Sequence, residues 1–129
     1  MRIFVTRWFV RFARRERIAH ADLREAVRRA ERGLLDADLG GGVIKQRIAR
    51  AHEGKSGGFR SIVLFRKGER AFFVYGFAKS ARATIRPDEL LGFKRLAAEM
   101  LSYDDAALAR AGASRALEEV SSDEQDLSE

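Results

Sequence analysis

The chain has 129 residues, 46% of them hydrophobic, with one proline and no cysteine, which suffices for one domain with a real core. The missing cysteine excludes a disulfide framework, a thiolate metal site and a cysteine nucleophile. No apolar run approaches the roughly 20 residues that span a bilayer, and MRIFVTRWFVRFARR sets arginines inside its apolar stretch, unlike a signal peptide, so a cytoplasmic protein with no membrane partner is expected.

The net charge of +6 is divided along the chain. Residues 1–100 carry 23 Lys and Arg against 11 Asp and Glu, a net of +12, whereas residues 101–129 carry 2 against 8, a net of −6. A body this basic calls for a polyanionic partner, nucleic acid first and an acidic protein second.

Met1–Val5 reads as a short first strand. Thr6 is a suitable N-cap for a helix that carries Trp8, Phe9 and Phe12 on one side and Arg7, Arg11, Arg14 and Arg15 on the others. A second helix is expected from about Ala21 to Arg32, with Leu23, Ala26, Val27 and Ala30 on its apolar face and Gly33 as its C-terminal cap. The two form a helical hairpin laid on one face of a sheet, and His20, at a helix start, reads as a polar or capping residue. Leu34 to Gly42 reads as a loop ending in three glycines.

The sheet follows. Val43–Arg50, Phe59–Phe65 and Arg70–Phe77 read as three strands, with a turn at Ser56-Gly57-Gly58 and a tight hairpin at Lys67-Gly68. On a period of two, Lys45 and Arg47 point to one face while Ile44 and Ile48 point to the other. The expected result is a sheet with one apolar side and one side able to hold phosphate. Pro87 opens a C-terminal helix with Leu90, Phe93, Leu96, Ala97 and Met100 as its stripe. Past residue 101 the pattern fades. Asp104 to Ala113 suggests a short helix, and Ser121 to Glu129 has the composition of a disordered tail, either solubilising or folded over the basic face. The expected division is a domain over residues 1–101 and an acidic, partly disordered extension over 102–129.

Candidate chemistry gathers at Lys45, Arg47, Arg50, His52, Lys55, Arg60, Lys79 and Arg82. Such a cluster binds phosphates through charge without reading sequence. It also suits RNA cleavage, in which a 2′-hydroxyl attacks the adjacent phosphate. Cations stabilise the added negative charge, and a lysine among other cations can transfer a proton. Metal chemistry is poorly served: the two histidines lack ligand spacing, and the Asp36-x-Asp38 pair sits in a loop remote from other ligand residues. No Walker-type loop or G-x-S-x-G motif appears. No cofactor is expected.

The run KQRIARAHEGKSGGFRSIVLFRKGERAFFVYGFAKSAR resembles the RelE/ParE superfamily of bacterial type II toxins, in its RelE/HigB-like branch. The resemblance is most specific at residues 54–60 (GKSGGFR) and 72–79 (FFVYGFAK). It implies a small α+β RelE-like fold: an antiparallel sheet with an N-terminal helical hairpin on one face and a C-terminal helix. It further implies a ribosome-dependent endoribonuclease that cuts messenger RNA and stops translation, held inactive by a cognate antitoxin, often of the helix-turn-helix type. By that resemblance Lys45, Arg60, Lys79 and Arg82 are catalytic, with Lys45 or Lys79 transferring protons, Arg60 and Arg82 stabilising the transition state and His52 in reserve. Arg47, Arg50, His52 and Lys55 bind RNA. The chain departs from the pattern where some members place a tyrosine after the final strand: here that neighbourhood reads Ala83-Thr84-Ile85-Arg86. Two alternatives remain open, a ParE-like DNA gyrase inhibitor and a non-catalytic RNA-binding module.

Overall fold

A computed structural model describes residues 1–49, 58–82 and 84–121. Arg50, His52, Lys55 and the SSDEQDLSE tail beyond Ser121 lie outside the described residues, as does most of the GKSGGFR motif. Six strands, β1 (Arg2–Thr6), β2 (Ala37–Gly40), β3 (Val43–Ile48), β4 (Phe59–Arg66), β5 (Arg70–Ala78) and β6 (Leu117–Glu119), and four helices, α1 (Arg7–Glu16), α2 (His20–Glu31), α3 (Pro87–Met100) and α4 (Asp105–Ala113), make an α+β architecture. The sheet order is β2-β3-β4-β5-β1-β6.

The meander β3-β4-β5 is antiparallel, as the alternation and the hairpin residues imply. The sheet is not antiparallel throughout, because β1 pairs parallel to β5, with Phe4 beside Phe72. That pairing joins strands 68 residues apart at this register, and no local pattern announces it. Two strands go beyond the sequence reading. The expected loop at 34–42 contains β2, which folds back on β3 around a tight glycine turn. Gly42 has φ +83°, and a Cβ there would stand 2.7 Å from Leu101 Cδ1, so the turn passes directly beneath the end of α3. The sheet also continues past residue 101. β6 pairs antiparallel with β1, and Val120 donates its N–H to the Ile3 carbonyl at 2.8 Å.

The helices start and stop where their caps dictate. Thr6 caps α1 by accepting the Phe9 N–H at 3.3 Å. Asp104 caps α4 by accepting the Ala107 N–H at 2.8 Å. Gly33, at φ +80°, closes α2 in a Schellman turn, with Leu34 N–H on the Arg29 carbonyl at 2.9 Å.

Both faces of the sheet carry a core, which corrects the expectation of one apolar and one phosphate-holding side. Helices α1 and α2 cover the first face, where Phe9, Phe12, Leu23 and Val27 pack with Ile44, Ile48, Val63 and Phe73. A Cβ on Gly76 would lie 2.5 Å from the Phe12 ring, so this strand position admits only glycine without displacing the ring. Helices α3 and α4 cover part of the second face, over Phe4, Val43, Ile62, Leu64 and Phe72. Lys45, Arg47 and Arg60 lie at one end of that second face.

Candidate RNA-binding face

The alternation of β3 sends Ile44, Gln46 and Ile48 into the first core and Val43, Lys45 and Arg47 to the second face. Val43 is buried, whereas Lys45 and Arg47 are half-buried. Register places Arg47 beside Arg60 and Arg60 beside Phe77, a row running across three strands. The neighbouring row is Lys45, Ile62 and Tyr75. Arg82, just beyond β5, lies over the Phe77 ring at 5.5 Å and the Tyr75 ring at 5.9 Å. Arg47, Arg60 and Arg82 thus follow one another along Phe77, with Lys45 alongside. Lys79 is exposed at the end of β5, where its N–H reaches the Gly58 carbonyl at 3.4 Å.

Two carboxylates enter this face, and the sequence reading assigned neither to it. Asp36 Oδ2 lies 3.3 Å from Arg60 Nε and 3.6 Å from Lys45 Nζ. It is held there because the buried Gln46 amide accepts the Asp36 N–H at 3.2 Å while donating to the Ala26 and Leu34 carbonyls at 2.8 and 3.1 Å. A segment expected to be a remote loop therefore supplies a counterion to the cations. Its distance from them along the chain hid this, and only the β2-β3 turn brings it back. The Arg60 side chain is only 11% exposed, less than that of Lys45 at 23% or Arg82 at 24%.

Glu89, on the first turn of α3, holds Arg82 by two hydrogen bonds, one of 3.0 Å from Nη1 to Oε2. It also accepts the Arg86 N–H at 2.9 Å, capping the helix. Its hydrogen bonds with Arg82, then that with the backbone, push the Glu89 carboxyl down to about 2. The same pair, with a smaller contribution from the Tyr75 hydroxyl, raises Arg82 above its usual value. Tyr75 was also missed. It contacts Trp8 at 4.7 Å and Phe93 at 5.9 Å, and its hydroxyl accepts from Arg82 at 3.3 Å. The Trp8, Phe9 and Phe12 stripe is therefore divided: Phe9 and Phe12 are core, while Trp8 is 38% exposed at the border of this face.

Arg29 of α2 donates to the Arg47 carbonyl. Arg47 Nε is buried and has no hydrogen-bond partner among the described residues. His20 lies on the far side of the fold, where its Nδ1 accepts the Ser121 N–H at 3.1 Å. That is a structural role, as its place at a helix start suggests. Among the described residues no group of three or more His, Asp or Glu side chains could hold a metal ion. No helix among them is long and apolar enough to cross a membrane.

Residues 1–120 match the family described as the RelE toxin of the RelE/RelB toxin–antitoxin system, and the chain belongs to that family. It is a toxin of a toxin–antitoxin system and pairs with an antitoxin. The match runs through β6, the last strand of the sheet. No curated protein matches the sequence.

Proposed function

We propose that the protein is a ribosome-dependent endoribonuclease that cuts messenger RNA by transesterification. The observation that carries this reading is the grouping of Lys45, Arg47, Arg60 and Arg82 at one end of one sheet face, beside Phe77 and Tyr75. Membership of a family whose toxins are generally endoribonucleases supports it. In the proposed step the 2′-oxygen attacks the adjacent phosphorus, the 5′-oxygen leaves, and a 2′,3′-cyclic phosphate forms. Lys45 or Lys79 takes the 2′-hydroxyl proton or returns one to the leaving oxygen. Arg60 and Arg82 neutralise the charge that develops on the phosphoryl oxygens. Arg47 holds a neighbouring phosphate, a role proposed also for Arg50, His52 and Lys55. The antitoxin would be a helix-turn-helix protein.

The test is induction in a bacterium, comparing the wild type with Lys45→Ala/Lys79→Ala, while growth and mRNA ends are followed together. Growth arrest with new ends in translated messages, both lost in the variant, is the expected result. Arrest without new ends would contradict the reading and point to a target such as DNA gyrase.

A further inference from the structure

A second cluster of cations lies at the other edge of the sheet. Arg7, Arg11 and Arg14 fall at i, i+4 and i+7 on α1 and so share one side of the helix over about 10 Å. They line a groove of about 660 Å³ with Arg115, which turns the chain from α4 into β6 in a left-handed conformation, φ +62°. Arg7 is engaged, donating to the Ser114 carbonyl at 3.0 Å and the Arg115 carbonyl at 3.3 Å, where it fastens the C-terminal end of α4. The side chains of Arg11, Arg14 and Arg115 are exposed and make no hydrogen bond or ion pair among the described residues. Two glutamates border the groove, and one of them, Glu119, is already held by Arg2 at 2.9 Å. Like charges stacked at i, i+4 spacing work against the helix that carries them. The acid on the same helix, Glu16, is held by Arg15 at 3.2 Å, and the first turn holds none.

We infer that this groove is a second polyanion site, which takes the phosphate backbone of double-helical RNA. Guanidinium groups pair with phosphate through two parallel hydrogen bonds, and among the described residues every cation that lines the groove is an arginine. The groove stands at the β6 edge, two strand spacings from β5 and four from β3, or about 10 and 19 Å at roughly 4.8 Å each. A large folded RNA spans both. The inference rests on the proposed function in one respect: it names the kind of RNA that would present a message to the cleaving face.

The experiment measures binding of the full chain to a labelled RNA duplex of about 20 base pairs, longer than the ≈16 a double-strand-binding domain spans, and to a short single strand, over a salt series. The wild type is compared with Arg11→Ala/Arg14→Ala/Arg115→Ala, with Arg7 kept because it holds α4. A second set, Arg11→Gln/Arg14→Gln/Arg115→Asn, retains helix-forming residues and a residue tolerant of the left-handed turn. The expected result is a loss of duplex affinity of at least tenfold at low salt. The slope of log K against log salt should be shallower by about 3, one for each phosphate contact removed, and single-strand affinity should stay unchanged. Unchanged duplex affinity in both sets, or an equal loss on both RNAs, would overturn the inference. If the wild type leaves a message on translating ribosomes intact, the proposed function fails, while the duplex comparison still decides the groove.

Discussion

Asp36 stands between the two cations that matter most to the proposed chemistry, 3.6 Å from Lys45 and 3.3 Å from Arg60. Its carboxylate orients the Arg60 guanidinium through Nε, and it also competes with phosphate for both groups. Asp36→Asn should therefore tighten binding of a short single-stranded RNA roughly fivefold at low salt, equivalent to about 1 kcal/mol, with the gain fading as salt rises. Fluorescence anisotropy measures this directly, and unchanged or weaker binding would count against the competition. Glu89 plays a different part, since its carboxylate is committed to Arg82 and to the first turn of α3. Its folded value is depressed to about 2, so its contribution to stability is present above the ordinary glutamate range and disappears as pH falls from there through about 2. Glu89→Gln should lower the melting temperature at pH 7, and the difference from wild type should vanish toward pH 2. A difference that persists in acid would mean that the Arg82 pair is not its source.

At the scale of elements, what was legible in the sequence depended on local periodicity. The stripes of α1, α2 and α3 and the alternation of β3, β4 and β5 place these elements within a residue or two of the observed bounds. Lys45 and Arg47 could be assigned to one face because strand alternation is local. β2 and β6 could not be read in this way. β2 is Ala-Asp-Leu-Gly, a poor strand former that exists because the glycine turn folds it onto β3. β6 is three residues inside an acidic stretch, fixed by β1 and by the Arg2–Glu119 pair. The carboxylates of the site were hidden for the same reason, because Asp36 reaches it only through β2 and Glu89 only through the seating of α3. Gly76 shows the converse, a strand glycine whose reason lies in another element. Gly76→Ala should cost about 1–3 kcal/mol, since the Phe12 ring fills the space of the missing methyl. Urea denaturation would check it, and a negligible change would show that the ring can yield.

Across the whole molecule, the sheet separates two basic surfaces. The Lys45–Arg82 face lies at the β3-β4-β5 end beyond α3, and the arginine groove lies past β6 between α1 and the end of α4. The proposals give these two surfaces different jobs, cleavage on one and holding of a folded RNA on the other. The most direct measurement supplies the purified protein with ribosomes translating a defined message and determines the chemistry of the cut ends. The account expects cuts within the ribosome-covered region that leave 2′,3′-cyclic phosphate and 5′-hydroxyl termini. The rate should fall by at least about 10²-fold in Lys45→Ala/Lys79→Ala, the scale of a lost proton-transfer group. An intact message, or cuts that carry 5′-phosphate, would contradict it.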